Sequence, residues 1–367
     1  MLYPTFKIDK PIRLITLFSG YDSQALALKY LGVKFEHYKT CEWAVKSIQA
    51  LKDLHFENDN TDYSKNLTDD EVKEYLLEKG ISSNYNDPMS KEQIKRLKNH
   101  RQIYNNIQAT HNLVNIQQVK GKDLCIKDTN KFTYLLTYSF PCQDLSLAGN
   151  RKGMSDTSTR SGMLWEVERI LSELKEKPQV LLMENVIQVH GEGNKEDFNK
   201  WQLKLEELGY KNYWQDLIAT DYGIPQTRNR TFMVSILGNY NYTFPKPEPL
   251  KLKLKDFLED NVDKKYYLND KQIKDIQSWN AYEKPLENME KIDKSNTSPT
   301  LTTRSGAYAA GMILVKNATK KGYLEAEVGD GIDISSRMEY HRGNVQKGKC
   351  QTISTMGGEN VGVVVNE

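Results

Sequence analysis

Short apolar strands that alternate with helices are the sequence feature that most restricts the fold of this chain. Strand-like stretches at residues 12–18, 33–40, 134–138, 179–183 and 231–236 are separated by segments with helical periodicity and helix-capping signals. Such alternation is typical of a parallel sheet with helices on both of its faces. We therefore predict an α/β fold with a doubly wound, mostly parallel sheet, whose ligand sites lie at the carboxyl ends of the strands.

Composition divides the chain into two predicted domains. The chain has 367 residues, long enough for two hydrophobic cores, and its composition changes after Tyr240, where a proline-rich segment follows. The first domain is predicted at residues 1–240, with a helical insert at about 52–120. The second, at residues 241–367, is smaller, and its short strands and turns predict a β-rich domain.

Capping boxes at Thr68 and Ser90 predict the start of two helices in the insert, the second of which continues over residues 94–107. Apolar residues at helical spacing over 198–208 predict a helix that faces the core.

Charge, hydropathy and cysteine usage narrow the class of protein. Charged residues make up 27% of the chain, the net charge is +2, and no apolar run approaches the roughly 20 residues of a membrane span. The N-terminus lacks the pattern of a secretory signal peptide, so a cytoplasmic protein without a membrane partner is expected. The four cysteines lie far apart in the sequence and form no metal-ligand pair, which predicts reduced thiols and no metal site.

A proline–cysteine turn follows the strand predicted at residues 134–138. Pro141 lacks the N–H that a central strand needs, so the strand must end there and Cys142 lies on a rigid turn at its carboxyl end. A thiol in that position is a candidate nucleophile, because cysteine is the strongest nucleophile among side chains at neutral pH. Taken alone, a Pro-Cys pair is more often a buried cysteine beside a structural proline, and the rest of the chain decides between the two.

The first strand leads into a turn of the kind that nucleotide-binding α/β units use. Small residues after Phe18, among them Ser19 and Gly20, would let the backbone approach a ligand at the start of the next helix. About 20 residues further on, Glu42 could bind ribose hydroxyls and Trp43 could stack on a base. A surface glutamate beside a core tryptophan explains the same pair equally well.

Three motifs in a fixed order resemble those of the C5-cytosine DNA methyltransferase family. They are Pro141-Cys142-Gln143, Glu184-Asn185-Val186 and Gln226-x-Arg228-x-Arg230, and each lies next to the end of a predicted strand. The resemblance covers roughly residues 12–367 and is weakest at the insert. It implies a Rossmann-like, S-adenosylmethionine-dependent enzyme that methylates carbon 5 of a cytosine flipped out of duplex DNA. It also implies that the smaller, β-rich domain recognises the target sequence.

The resemblance implies roles for individual residues as well. Cys142 would add to carbon 6 of the cytosine, while Glu184 would engage the ring N3 and the exocyclic amine. Arg228 and Arg230 would stabilise charge. The residues that would contact the cofactor are Phe18, Ser19, Gly20, Glu42, Trp43, Asp123, Leu124, Pro141 and Leu164. The family's second glycine after the first strand is absent at residues 21–23, which leaves the contacts to the methionine end of the cofactor open.

A repeated β unit in the second domain carries the prediction of target recognition. Residues 298–306 and 350–358 resemble each other, and each stretch leads to an apolar strand. In the family, a threonine followed by Leu, Ile or Val lies in the target-recognition region. By this resemblance the candidates are Thr300, Leu301, Thr352 and Ile353.

The last part of the sequence departs from the family pattern. The family continues with an Arg-Leu-x-Gly-Phe segment and a final Gly-Asn motif, whereas this sequence stops at Glu367 without either. The chain thus resembles the larger part of a split family member. A second polypeptide that supplies the two motifs is expected as a partner, beside double-stranded DNA. A DNA-binding but catalytically incomplete subunit, or a truncated copy, is the alternative.

Two further alternatives account for fewer of the motifs. A dinucleotide-dependent oxidoreductase would explain the first turn and Glu42, but neither Pro-Cys-Gln nor Gln-x-Arg-x-Arg. Methylation of tRNA belongs to one branch of the same family, and the Cys-Phe-Thr segment of that branch is not found in this sequence. Methyl transfer to DNA is therefore the favoured function.

Overall fold

The structure is a computed structural model. It describes residues 3–141, 161–226, 228–253 and 256, and in the last part of the chain residues 313–316, 323–326, 330–333, 345–349 and 361–363. The chain divides into two compact units, Met1–Asp216 with Arg230–Phe244, and Leu217–Asn229 with Pro245–Glu367. The functional division at residue 240 stays a prediction.

A six-stranded sheet forms the centre of the first unit. Its strands are β1 (Ile12–Leu17), β2 (Phe35–Cys41), β3 (Thr133–Tyr138), β4 (Val180–Asn185), β5 (Tyr210–Ile218) and β6 (Asn229–Leu237). They follow the order β2-β1-β3-β4-β6-β5. The pairs β1–β2, β1–β3 and β3–β4 are parallel, and β6 runs antiparallel to β4. The predicted α/β fold with a mostly parallel sheet is confirmed.

Helices lie between the strands and in the insert. They are α1 (Ser23–Tyr30), α2 (Val45–His55), α3 (Asp69–Lys79), α4 (Lys91–Lys95), α5 (His100–Ala109), α6 (Leu164–Glu173) and α7 (Lys195–Glu207). The capping boxes predicted at Thr68 and Ser90 both form and begin α3 and α4. Gly80 ends α3 in the left-handed conformation, with φ of 65°, which glycine adopts at little cost.

One prediction for the insert, a continuous helix, is wrong. A continuous helix was expected over residues 94–107, whereas α4 ends before Arg96 and α5 begins at His100. Ile94 and Ile103 are nine positions apart, and at about 100° per residue a continuous helix would turn them to opposite faces. The break lets both side chains enter one apolar cluster, in which each is only 2% exposed.

Two apolar clusters stabilise the first unit. The larger lies against the central sheet and contains the helical stripe predicted on α7, with Phe198, Trp201 and Leu205 all buried. The second lies within the insert, where Val72 and Leu76 of α3 belong to the same cluster as residues of α5. The insert therefore has its own core rather than being a solvated appendage.

The described part of the second unit consists of short antiparallel strands. They are β7 (Ile313–Lys316), β8 (Tyr323–Ala326), β9 (Gly331–Asp333), β10 (Val345–Gln346) and β11 (Val361–Val363). β7 pairs with β8, while β9 lies between β10 and β11. β7 and β11, which follow the two copies of the predicted repeat, thus belong to different sheets. Among the described helices, none combines the length and the apolar character that crossing a bilayer requires.

Candidate active site

The ends of β3, β4 and β6 meet at one edge of the sheet. Tyr138, the last residue of β3, is paired with Met183, so the next residues on the two strands, Ser139 and Glu184, lie side by side. Because β6 is antiparallel to β4, the amino-terminal end of β6 reaches the same edge, and Glu184 is paired there with Phe232. This is the edge at which α/β sheets bind ligands.

The Glu184 carboxylate is held by two side chains. The Ser139 hydroxyl donates a hydrogen bond of 2.6 Å to Oε2, and Nε of Arg230 lies 3.2 Å from Oε1. The Glu184 side chain is 13% exposed and that of Arg230 is 18% exposed. A guanidinium beside the carboxylate offsets its negative charge, and the hydroxyl fixes its orientation. A carboxylate held in this way can present a defined acceptor to a substrate.

Asn185 fixes the backbone that leads into the proline–cysteine turn. Its Nδ2 donates to the carbonyl of Phe140 at 3.0 Å, and its Oδ1 accepts from the N–H of Val186 at 2.8 Å. Asn185 is 2% exposed, so both bonds are shielded from water. Pro141 follows Phe140 directly and is the last described residue of this turn.

The predicted site residues differ in what the structure describes of them. Cys142 lies outside the described residues, as do Thr300, Leu301, Thr352 and Ile353. Arg228 belongs to the second compact unit, where its carbonyl accepts from the N–H of Ala219 at 2.9 Å. Glu184 and Arg230, two of the four predicted catalytic residues, lie in contact in the first unit.

The turn after β1 is attached to the end of β2. The N–H of Ser19 donates to the carbonyl of Cys41 at 3.0 Å, and the N–H of Cys41 donates to the Ser19 hydroxyl at 3.1 Å. Gly20 has φ of 54°, and a Cβ placed on it would meet no atom within 4 Å. The backbone at Gly20 therefore faces open space, into which a ligand could approach closely.

Glu42 joins the two strand ends through its carboxylate. Oε2 accepts from the N–H of Gly20 at 2.9 Å, and Oε1 accepts from the N–H of Ala44 at 2.7 Å. Burial raises the pKa of Glu42, and the backbone N–H groups that it accepts from oppose that rise. With about four lone-pair positions on a carboxylate, two such bonds leave acceptor capacity for ligand hydroxyls.

Asp22 occupies the stretch in which the expected second glycine is absent. It has φ of 59°, a left-handed conformation that aspartate tolerates better than most residues, and its Oδ1 caps α1 through the N–H of Ala25. Its Oδ2 accepts from the Thr16 hydroxyl at 3.0 Å and lies 2.6 Å from Nε2 of His37. A buried polar network therefore stabilises this turn where glycine is missing.

A cavity of about 340 Å³ lies beside Asp123. Its lining combines the apolar residues Leu113 and Val119 with polar or charged residues, Lys79, Gln118 and Lys122 among them. A cavity with apolar walls and a few hydrogen-bonding groups can hold a small ligand. The Asp123 carboxylate beside apolar walls fits an adenine ring, whose exocyclic amine can donate to it.

The remaining predicted cofactor residues differ in accessibility. Leu124 and Leu164 are fully buried in the main apolar cluster, so their side chains shape the site from behind. Phe18 and Trp43 are partly buried, and Trp43 packs against the cluster of the insert. Within the described ranges, no three metal-binding side chains lie close enough together to hold an ion.

Sequence analysis assigned no role to three residues that contact the candidate site. Ser139 lies just before one predicted motif and Asn185 lies within another, so their position at a strand end was the available signal. Asn112 hydrogen-bonds the backbone of Glu42 from a point 70 residues away, and no local pattern indicates such a contact.

A mostly parallel sheet in which β6 runs antiparallel to β4 is consistent with the Rossmann-like fold of S-adenosylmethionine-dependent methyltransferases. The family model described as C-5 cytosine-specific DNA methylase matches residues 81–356. The chain belongs to this family, and the sequence-based assignment to it, as an enzyme, is confirmed.

The chain is similar to two named bacterial methyltransferases and to one solved structure, over part of the length of each. The type II methyltransferase M2.ScrFI of Lactococcus lactis subsp. cremoris is 38% identical over 274 residues, which cover 72% of this chain and 72% of that protein. The orphan methyltransferase M.SssI of Spiroplasma monobiae is 37% identical over 239 residues, 63% of this chain and 61% of that protein. The crystal structure of the S. pombe Dnmt2 methyltransferase superposes with a TM-score of 0.45 and 15% identity, over 74% of this chain and 67% of that chain.

Proposed function

We propose that the chain transfers a methyl group from S-adenosylmethionine to carbon 5 of a cytosine in a specific duplex sequence, through a covalent bond between Cys142 and carbon 6. The observation that carries the proposal is the Glu184 carboxylate, held between Ser139 and Arg230 at the ends of β3 and β4. Family membership supports the reaction class. The turn that leads to Cys142 begins on the strand next to Glu184, which supports a joint action of the two residues on one base.

The reaction needs a nucleophile because carbon 5 of cytosine is itself a poor one. The Cys142 thiolate would add at carbon 6, and the ring electrons displaced by this addition would make carbon 5 nucleophilic. Only a few per cent of a free cysteine is thiolate at pH 7, so cationic neighbours would raise the reactive fraction. After methylation, a base would remove the proton from carbon 5 and the sulfur would leave carbon 6. The thiolate is regenerated in this way.

Glu184 and Arg230 would act on the same ring. The carboxyl group of Glu184 would hydrogen-bond the ring N3 and accept from the exocyclic amine, which selects cytosine and stabilises the adduct. Arg230, 3.2 Å from that carboxylate, would keep it in place and stabilise negative charge that develops during addition.

S-adenosylmethionine, when bound, supplies a methyl group on a sulfonium, which is electrophilic without any metal. Glu42 would bind the ribose hydroxyls, Trp43 would stack on the adenine, and Asp123 would accept from the adenine amine. The open space above Gly20, the buried carboxylate of Glu42 and the cavity beside Asp123 support this arrangement.

Double-stranded DNA is the proposed substrate, with residues 241–367 as the target-recognition region. The target cytosine would have to be flipped out of the helix, which costs a few kcal/mol. The roles of Thr300, Leu301, Thr352 and Ile353 in recognition stay predictions. A second polypeptide as partner also stays a prediction, and turnover by the purified chain alone would contradict it.

Transfer of a radiolabelled methyl group from S-adenosylmethionine to duplex DNA tests the proposal. The wild-type chain is assayed with and without a polypeptide that supplies the Arg-Leu-x-Gly-Phe and Gly-Asn motifs. It should label duplexes of mixed sequence, which contain the target, and leave a duplex of A·T pairs unlabelled. Cys142→Ser should abolish labelling because a hydroxyl is a far weaker nucleophile, while calorimetry should show unchanged cofactor binding. Near-wild-type transfer by the serine variant would overturn the assignment of the nucleophile.

A further inference from the structure

One residue of the insert clamps the backbone of Glu42. Nδ2 of Asn112 donates to the Glu42 carbonyl at 2.9 Å, and the Glu42 N–H donates to Oδ1 of Asn112 at 3.0 Å. The same Oδ1 accepts from the N–H of Val114 at 2.9 Å. Asn112 is 6% exposed, so these bonds are formed away from water, where losing one leaves a buried polar group without its partner.

The segment around Asn112 is attached to the end of β2 by further bonds. The N–H of Leu113 donates to the carbonyl of Thr40 at 2.8 Å, and the Cys41 thiol lies 3.3 Å from the carbonyl of Val114. Val114 has φ of 69°, a conformation that is rare for a β-branched residue and persists only where the surroundings impose it. The surroundings thus hold the backbone of this segment in one defined path.

The insert also holds the residues that follow Glu42. The N–H of Ser82 donates to the Trp43 carbonyl at 2.8 Å, and the N–H of Val45 donates to the Ser82 carbonyl at 2.9 Å. Trp43 packs against the apolar cluster of the insert. The stretch from Glu42 to Val45 is therefore bound at two points by a segment that has its own rigid core.

Movement of the Glu42 backbone would reach the turn after β1. The Glu42 carboxylate accepts from the N–H of Gly20 at 2.9 Å, so the position of Glu42 sets the position of that acceptor relative to the turn. The insert also supplies Leu113 and Lys79 to the walls of the cavity beside Asp123. Its contacts therefore meet the candidate cofactor site in two places.

We propose that the insert is the scaffold of the cofactor site and that Asn112 is a positioning residue for Glu42. This inference rests on the proposed binding of S-adenosylmethionine by Glu42. Asn112 does not touch the cofactor in this account; it acts by fixing the N–H and carbonyl of the residue that does. Loss of the clamp should then weaken cofactor binding while leaving the chemical step intact once the cofactor is bound.

Asn112→Ala and Asn112→Asp, with Asn115→Ala as control, separate positioning from a merely structural role. Asn115 lies in the same segment and is also 6% exposed, but its Oδ1 accepts from the N–H of Gln117. Asn112→Ala should raise the Kd and the KM for S-adenosylmethionine roughly tenfold, because the two hydrogen bonds between Asn112 and Glu42 are lost. It should change kcat at saturating cofactor by less than about twofold. Asn115→Ala should lower the melting temperature without changing the Kd.

Two results would overturn the positioning role of Asn112, and a third would overturn the proposed function as well. An unchanged Kd in a folded Asn112→Ala chain, or an equal rise of the Kd in Asn115→Ala, would overturn the positioning role. If the alanine variant does not melt cooperatively, the near-isosteric aspartate variant carries the test, because it keeps the acceptor for the Glu42 N–H and loses the donor to its carbonyl. A wild-type chain that does not bind S-adenosylmethionine would overturn the proposed function, and this inference with it.

Discussion

Replacing Asp22 with alanine should strongly destabilise the turn that carries Ser19 and Gly20. The Asp22 carboxylate is fully buried, and it joins the start of α1 to the Thr16 hydroxyl and to the imidazole of His37, whose side chain is 9% exposed. Alanine would remove all three contacts and would have to adopt φ near 59°, the value recorded for Asp22. The turn would lose both its cap and its buried partner.

The size of the effect follows from these contacts. Loss of a helix cap costs about 1 kcal/mol, and each buried polar partner left without its hydrogen bond, here Thr16 and His37, costs about 1–3 kcal/mol. Left-handed strain adds about 1–2 kcal/mol for a residue such as alanine. The contributions share one carboxylate and are not additive, so we expect a loss of about 3–5 kcal/mol, against a total stability of about 5–15 kcal/mol for a domain.

Urea unfolding of the full chain measures this loss, with Asp22→Asn and Asp22→Gly as matched variants. Asparagine keeps an acceptor for the N–H of Ala25 and tolerates the left-handed conformation, so it should cost less than alanine. The glycine variant loses the same contacts as the alanine variant but has no left-handed strain. The difference between their free energies of unfolding therefore measures the strain. A double-mutant cycle with His37→Ala should show coupling of about 1 kcal/mol or more. A loss below about 1 kcal/mol for Asp22→Ala would refute the reasoning.

Three further predictions concern Glu184 as the proposed catalytic carboxylate, Glu42 as the proposed cofactor-binding carboxylate, and the insert. Glu184→Gln should lower kcat by about 10²–10⁴ without weakening cofactor binding, as measured by methyl transfer and calorimetry, since an amide cannot replace the acid–base action of the carboxyl group. Burial raises the pKa of Glu42. The folded chain therefore keeps this proton to higher pH than the unfolded chain, and in that window stability without cofactor should fall as pH rises. Cofactor affinity should strengthen there as the carboxylate ionises, and a Kd that does not change across the pH range in which the folded chain releases this proton would contradict the role of Glu42. Arg101 donates to Asp69 and to two carbonyls, so Arg101→Ala should cost about 1.5–3 kcal/mol in urea unfolding, whereas the exposed Lys98→Ala should stay within about 0.5 kcal/mol.

The parts of the fold that local sequence determines were predictable. Buried strands such as β3 and β4 are rich in apolar residues, which indicates a strand of a buried parallel sheet. The capping boxes at Thr68 and Ser90 indicate where helices begin. β5 was missed because it lies at the edge of the sheet and carries polar residues, Gln215 and Asp216 among them, which are exposed. The break between α4 and α5 was missed because it places Ile94 and Ile103 in the same apolar cluster. Such tertiary packing cannot be deduced from the local sequence.

The candidate site also contains contacts that the sequence could indicate and contacts that it could not. Glu184 and Arg230 were predicted as site residues because each lies in a short motif at a strand end, and the structure places Nε of Arg230 3.2 Å from Oε1 of Glu184, while their catalytic roles stay a prediction. Asn112 was not found because its partner, Glu42, is 70 residues away and the contact arises only when the insert returns to β2. Asp22 lies where the family's second glycine is absent, a departure that left the contacts to the methionine end of the cofactor open. The contacts of its carboxylate explain how the turn is stabilised without that glycine.

The most direct test of the account is to trap the covalent bond between Cys142 and its base. Duplex DNA with 5-fluorocytosine should form a stable adduct with the wild-type chain in the presence of S-adenosylmethionine, because fluorine at carbon 5 cannot leave as a proton does and the sulfur stays on carbon 6. Denaturing electrophoresis should show the adduct for the wild type and not for Cys142→Ser, and peptide mapping should locate the DNA on Cys142. An adduct on another residue, or methyl transfer to ordinary cytosine with no adduct to the fluorinated base, would contradict the mechanism.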